Sequence, residues 1–171
     1  MASTFVSISN RALTLLGAQP ITSLEDDTKE ARACNRMFEQ SRDQVLRGHP
    51  WNFAMKRVAL AFDWPSDCLR IIECDTLEEW IVEGRQIVTK AAAPLNIVYV
   101  SQITDPTFFD ALFVEAYALR LAADISYDIT ASQQVLGNME ELYARKLAEA
   151  RLVDAQEALS ASEDSWLQAR I

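Results

Sequence analysis

The sequence predicts an α+β protein that is mainly helical: a bundle of about four helices, a small strand-rich β-hairpin insertion and an extended C-terminal tail. Apolar residues recur at helical spacing over most of the chain, whereas β-branched and aromatic runs are confined to residues 51–104. Glycine and proline are scarce, at four and five of 171 residues. A hydrophobic fraction of 50% is sufficient for a real core.

The first two helices are predicted over residues 4–17 and 26–47. In the first, apolar residues are three and four apart, and Gly17 stands where a helix end favours a positive φ. The acidic residues Glu25 to Asp27 suit the positive end of the second helix. Pro50 disfavours helical geometry in the residue before it and so ends this helix.

The strand-rich insertion covers residues 51–104, where short apolar runs are separated by Pro, Asp, Gly or Ser. Glu83-Gly84 suits a tight hairpin between the third and fourth strands. The strands are predicted near Phe53–Leu60, Leu69–Cys74, Trp80–Val82, Gln86–Thr89 and Ile97–Ser101.

The third helix is predicted over residues 106–127, because Asp105-Pro106 reads as an N-cap followed by proline at the first helical position. Its apolar residues cover almost the whole circumference, which indicates a helix buried on all sides. Asp128 to Thr130 is predicted to be a turn. The fourth helix should then span residues 131–159, which completes a single domain over residues 1–159, and residues 160–171 form the extended tail.

The fourth helix carries two apolar faces. The face predicted to pack on the core contains Met139, Leu142, Tyr143, Leu147, Ala150 and Val153. The opposite face is rich in alanine and contains Ala144, Ala148, Leu152 and Ala155. Small side chains let another helix approach closely, so these four residues are the candidates for a contact between subunits. The alternative is that surface alanines only raise helix propensity.

The net charge and the cysteines of the chain argue against several classes of protein. The formal net charge is −9, which argues against a protein that grips nucleic acid through its phosphates. The cysteines Cys34, Cys68 and Cys74 form no C-x-x-C pair, so neither a disulfide framework nor a zinc knuckle is indicated. The N-terminus lacks the features of a signal peptide, and no apolar run is long enough to span a membrane. We expect a chain made in a reducing cytoplasm, with no membrane partner.

Catalytic equipment is not visible in the sequence. His49 is the one histidine and flanks a helix end, where a structural hydrogen bond is the commoner role. No phosphate-binding, dinucleotide, zinc or calcium motif occurs, so no cofactor and no metal are expected. Carboxylate pairs remain possible, and Glu115 in the apolar third helix is the most interesting candidate because burial would raise its pKa. A partner arginine or a subunit boundary is the alternative, and we expect no enzyme.

Several stretches together resemble the head-to-tail adaptor family of tailed phages, in particular the tail tubular protein A type of short-tailed phages. The resemblance covers nearly the whole chain, in the same order. The stretches are Asn10–Thr28, Ala31–Asn35, Arg42–Ala54, Pro65–Arg70, Trp80–Arg85, the strand of Tyr99, and Asp105-Pro106 before the third helix. One departure is the short segment Phe62-Asp63-Trp64, where members of the family have a longer excursion.

The resemblance implies a structural virion protein, assembled in the host cytoplasm and located at the head-tail junction. Such proteins form a ring, usually of about twelve subunits, between the portal protein and the tail nozzle or tail tube. The expected partners are therefore the portal, the nozzle or tube protein and further copies of this chain, with DNA passing through the channel without specific binding. The competing hypotheses are a small prophage-encoded peptidoglycan hydrolase that uses a carboxylate pair, and an acidic regulatory binding protein.

The polar C-terminal tail contains a few apolar residues that could anchor it in a partner. An exposed tryptophan among serines and carboxylates is either incidental or becomes buried on binding. By the resemblance, that partner is the portal. The residues predicted to dock on the portal are Leu159, Trp166, Leu167 and Arg170.

Overall fold

The computed structural model describes the backbone of residues 3–61 and 63–168, and the side chains of residues 3–61 and 63–157. It confirms the α+β class with a majority of helix. The helices are α1 (Phe5–Leu15), α2 (Lys29–Gly48), α3 (Ala111–Thr130) and α4 (Gln133–Gln168). The strands are β1 (Met55–Leu60), β2 (Cys68–Cys74), β3 (Trp80–Glu83), β4 (Gln86–Thr89) and β5 (Leu95–Ser101).

The chain divides into two compact units. A helical unit consists of Met1–Val45 and Asp105–Ile171, and a strand unit consists of Leu46–Thr104. In the helical unit, α3 contacts both α1 and α4 and supplies the largest part of the core. Its fully or nearly buried residues are Phe113, Ala116, Tyr117, Ala118, Leu119, Leu121, Ala122, Ala123, Ile125 and Ser126. The expectation that the third helix is the central core element is thus met.

Tyr117 shows how α3 is tied to α2. Its ring is buried and packs against Phe38, with ring centroids 5.3 Å apart, and its hydroxyl donates a hydrogen bond of 2.8 Å to the backbone oxygen of Phe38. Phe5 of α1 stacks edge-on against the same Phe38 at 4.8 Å. Three helices therefore meet at one aromatic cluster, and a buried polar atom is satisfied inside it.

Both ends of α1 follow the expected capping chemistry. At the start, the Thr4 hydroxyl accepts from the backbone of Ser7, and the Ser7 hydroxyl accepts from the backbone of Thr4, which forms a capping box. At the end, Gly17 has a φ of 67° and the amide of Ala18 donates to the oxygen of Leu13. This pattern is a Schellman motif, and it requires the left-handed backbone that glycine adopts without strain.

Several helix boundaries differ from the sequence predictions. Helix α2 begins at Lys29 rather than at residue 26, because Asp26 accepts from the backbone of Thr22 and Ser23 and closes a turn instead. The pair Asp105-Pro106 starts only a short 3-10 turn, and Asp110 caps α3 by accepting from the amides of Leu112 and Phe113.

Two further differences lie at the junction of α3 with α4 and at the end of α4. Residues 128–130, predicted as a turn, belong to α3, and the chain reverses at Ala131, whose φ is 54°. Helix α4 then runs to Gln168, whereas the sequence analysis expects an extended tail from residue 160. The physical reason is that no proline or glycine follows Gly137, so nothing in the sequence stops the helix before its polar end.

The strand unit contains two small sheets. Antiparallel strands in the order β1-β5-β2 form a three-stranded sheet, and β3 pairs with β4 as a hairpin. Gly84 and Arg85 turn the hairpin with φ values of 53° and 62°. The hairpin residue Ile87 and the sheet residues share one apolar cluster, which contains Cys68, Ile71, Cys74, Ile87, Leu95, Ile97 and Tyr99. The two sheets bury this cluster together, which supplies the hydrophobic face that small sheets need for stability.

Candidate functional site

One face of α4 packs on α3 along the helical unit. Met139 and Ala150 are buried, and Tyr143 and Leu147 are half-buried on the same face. The guanidinium of Arg120 on α3 lies 5.5 Å from the ring centroid of Tyr143, within the range of a cation–π contact. The predicted packing face therefore lies against α3, and only Val153 at its far end is exposed.

The opposite face of α4 is the candidate contact between subunits. All four of its predicted residues are exposed: Ala144, Ala148, Leu152 and Ala155. Leu152 leaves 62% of its surface accessible. The four residues lie on one side of a helix whose other side is already packed. A helix or sheet could approach this side closely because three of the four side chains are only methyl groups.

The four residues predicted to dock on the portal lie at the end of the chain. Leu159, Trp166 and Leu167 fall within α4, but their side chains lie outside the described residues. Arg170 lies outside the described residues altogether. Their role therefore stays a prediction.

The three cysteines do not form a nucleophilic site. All three are free and buried. Burial raises the pKa of Cys34 and of Cys68 to about 11, and burial raises the pKa of Cys74 as well. Because the thiolate is the reactive form, these shifts oppose catalysis. The cysteines act as small core residues, as free cysteine commonly does.

Glu115 has a simple structural role. Its carboxylate forms an ion pair of 3.1 Å with Arg11 of α1, and both side chains are more than one-third exposed. The pair links α1 to α3 at the surface, where such contacts contribute little to stability. The expectation of a partner arginine is met, and the carboxylate lies at the surface of the helical unit.

We next consider candidate metal ligands and the surroundings of His49. Within the described residues, no group of three or more His, Cys, Asp or Glu side chains is placed to hold a metal ion. His49 packs edge-on against Trp51, with the ring centroids 4.8 Å apart. Trp51 is fully buried, so His49 contributes to packing at the end of α2.

The two units differ strongly in charge. The helical unit contains ten Lys and Arg against eighteen Asp and Glu, for a formal charge of −8, whereas the strand unit contains six against seven, for −1. The acidity of the chain is thus concentrated in the unit that carries the exposed face of α4. An anionic surface of this kind repels nucleic-acid phosphates.

The sequence analysis missed an exposed aliphatic feature in the strand unit. Val58 on β1 and Ile81, Val82 and Val88 on the hairpin are 36% to 54% exposed. The signal was available in the run Trp80–Val82, which lies between glutamates, but a run of this kind is also typical of a buried strand. Strand pairing decides which edge of this strand has no partner, and the sequence of one short run does not specify the pairing.

Comparison with known proteins gives no relative: neither the models of known protein families nor the curated proteins contain a match to this chain. In the part of the chain that the structure describes, no helix is both long enough and apolar enough to span a bilayer.

Proposed function

We propose that this chain is a structural, non-enzymatic subunit of a phage head-to-tail adaptor ring between the portal and the tail nozzle or tube. The observation that carries the proposal is the second face of α4, formed by Ala144, Ala148, Leu152 and Ala155 and left exposed in the single chain. A ring requires each subunit to present two different surfaces that meet those of its neighbours. A helix packed on one side and apolar on the other supplies one of them.

Charge supports the channel role. A ring of about twelve copies would carry a formal charge of about −108, because each copy carries −9. Most of this charge belongs to the helical unit. A strongly acidic wall lets DNA pass without adhering, since phosphates are repelled rather than neutralised. In this proposal the adaptor belongs to the virion and contacts DNA only in transit.

The first test is the mass of the assembly. The full chain is mixed with the portal protein of the same phage and examined by native mass spectrometry, with Ala148→Glu as the disrupting variant. A carboxylate in a close-packed contact costs several kcal/mol, so the variant should remain folded yet fail to form rings on portals. Ala111→Glu makes the same change at an exposed position outside the face and should assemble normally. Unchanged assembly of Ala148→Glu would show that this face is only solvated.

The second test concerns docking on the portal. Deleting residues 160–171 should leave a folded domain that no longer binds the portal. Trp166→Ala alone should weaken binding by about 30-fold, the loss typical of a buried tryptophan anchor. Ser162→Ala is the control in the same segment and should bind as the unaltered chain does. If the truncated chain binds the portal as tightly as the full chain, docking lies in the body of the protein. Binding can be measured by surface plasmon resonance on immobilised portal.

A further inference from the structure

Among the outer strand edges that have no partner strand in the described residues, those of β1 and β3 are complementary to each other. β1 pairs only with β5, and β3 pairs only with β4. Each free edge presents a row of backbone N–H and C=O groups that another strand can pair with. The side chains on both strands are exposed: Val58 on β1 by 36%, and Ile81 and Val82 on β3 by 54% and 44%.

The side chains on the two edges have opposite charges. Arg57 on β1 is exposed, and its guanidinium makes no hydrogen bond or ion pair within residues 3–61 and 63–157. Glu83 at the end of β3 is likewise exposed, with no partner for its carboxylate in the same ranges. Natural proteins often protect a free edge with an inward or central charge. Here the charge on one edge would be neutralised by the charge on the other.

One antiparallel register matches three consecutive residues of the two edges. It places Arg57 opposite Glu83, Val58 opposite Val82 and Ala59 opposite Ile81. Because side chains alternate between the faces of a strand, opposed residues share a face. Val58 and Val82 then cover one face, and the charged pair with Ala59 and Ile81 covers the other. A slip by one residue would set Arg57 against Val82 and Glu83 against Lys56, whose ammonium already pairs with Asp67 of the same chain.

We propose that β1 of one copy pairs edge to edge with β3 of a second copy of this chain, in this antiparallel register. Both complementary halves lie on the same chain, and within one chain they do not pair with each other. The contact joins two different surfaces, so it repeats head to tail, as the contacts of a ring do. In naming a second copy as the partner, the inference rests on the proposed function.

The test uses charge reversal in the full chain, measured by sedimentation velocity over a range of concentrations. Arg57→Glu and Glu83→Arg each bring like charges together and should weaken self-association at least about tenfold. An equimolar mixture of the two variants should assemble again. In the mixture, the reversed edge of one variant meets the reversed hairpin of the other, while the remaining contacts are native. Circular dichroism of each single variant should match that of the unaltered chain.

Two matched controls define the register. Lys90→Glu makes the same kind of charge change at the exposed residue directly after β4. The variant should assemble normally. Glu79→Arg changes an exposed glutamate just before β3 that falls opposite Ala61 in this register, so it should also assemble normally. Loss of assembly with Glu79→Arg and not with Glu83→Arg would overturn the register and the inference with it.

The remaining outcomes separate this inference from the proposed function. Single variants that assemble like the unaltered chain, a mixture that stays monomeric, or an unaltered chain that is monomeric at every concentration would each overturn the edge pairing. Binding to the portal is measured separately with the unaltered chain. A chain that self-associates through these edges but does not bind the portal would overturn the adaptor role and leave the pairing intact.

Discussion

Asp67 holds three parts of the strand unit together. One carboxylate oxygen lies 2.6 Å from the ammonium of Lys56 on β1, and the other accepts a hydrogen bond of 3.0 Å from the hydroxyl of Tyr99 on β5. Its backbone oxygen accepts from the amide of Gln102 at 2.7 Å. Partial burial alone would raise the pKa of Asp67, but the hydrogen bonds from Lys56 and Tyr99 and the charge of Lys56 outweigh it and lower the pKa.

The lowered pKa of Asp67 predicts a pH-dependent stability. Because the folded pKa lies below the ordinary value of about 4, the ionised carboxylate stabilises the fold above that pH, and this contribution is lost as the pH falls through the folded pKa. Asp67→Asn should cost about 1 kcal/mol at neutral pH, and the difference from the unaltered chain should shrink at about pH 3.

Urea unfolding followed by tryptophan fluorescence measures this effect, because Trp51, Trp64 and Trp80 all lie in the strand unit. The exposed Asp63 offers the control, since Asp63→Asn changes the same charge four residues earlier. An Asp67→Asn effect that is equally large at acid pH would contradict the assigned ion pair.

The role of a single residue, Glu115, could be predicted from the sequence only in part. The sequence alone shows that Glu115 is an acidic residue on an apolar helix. This placement suggested either a buried acid or a partner for an arginine. The outcome was decided by Arg11, which lies 104 positions away. Contacts at such separations depend on how helices pack, and periodicity within one helix carries no information about them. The role of Glu115 could therefore be narrowed but not assigned.

At the scale of elements, the centres of helices and strands were predictable and their ends were less so. Apolar periodicity located the four helices, because it is set by which side of a helix is buried. Short β-branched and aromatic runs located the five strands. The predicted start of a helix was wrong where two residues could cap it, as with Asp105 and Asp110. Both can accept from following amides, but Asp105 begins only a 3-10 turn.

Replacing Gly17 or Gly137 by alanine should have opposite effects on the stability of the fold. Gly17 has a φ of 67° at the end of α1, and Gly137 lies inside α4 without a positive φ; an added methyl group would meet no atom within 4 Å at either position. Gly17→Ala should therefore destabilise the fold by about 1 kcal/mol through backbone strain alone. Gly137→Ala should stabilise it by about 0.5–1 kcal/mol, because alanine has the higher helix propensity.

Far-UV circular dichroism during urea unfolding measures both glycine variants, and each serves as the control for the other. A loss of stability in both variants would point to steric crowding at α4 instead of a difference in backbone conformation. A gain in both would contradict the left-handed turn after α1.

At the scale of the whole molecule, charge is distributed unevenly between the two units. The helical unit carries nearly all of the net negative charge, and the strand unit is close to neutral. A neutral surface allows close association between copies, whereas an acidic one opposes it at low salt. The proposed edge pairing uses the near-neutral unit. The four contact residues on α4 are uncharged, although they belong to the acidic unit.

The net charge predicts that the chain does not retain DNA. In an electrophoretic mobility-shift experiment with double-stranded DNA, the purified chain should cause no shift even at low salt, because it cannot release counterions by neutralising phosphates. Reversing charge at Glu140 and Glu141, two exposed residues of α4, with a Glu→Lys change at each should increase any residual binding. Tight binding by the unaltered chain would contradict a channel wall that DNA only passes.

The candidate contacts were predictable to different extents. The alanine-rich face of α4 followed from helical spacing, because a straight helix fixes which residues share a side. The free edges of β1 and β3 did not follow, because an edge is defined by the strand that is missing beside it. Pairing of β1 with β5 joins residues about forty positions apart, and no local pattern specifies it.

The burial of all three thiols leaves the described surface of the protein without a reactive sulfur. A cysteine introduced at an exposed position, such as Gln134→Cys on α4, would be the one site that a maleimide dye modifies in the native state. Copies carrying donor and acceptor dyes could then be mixed without first removing the native cysteines. Energy transfer between them would follow the encounter of subunits in real time.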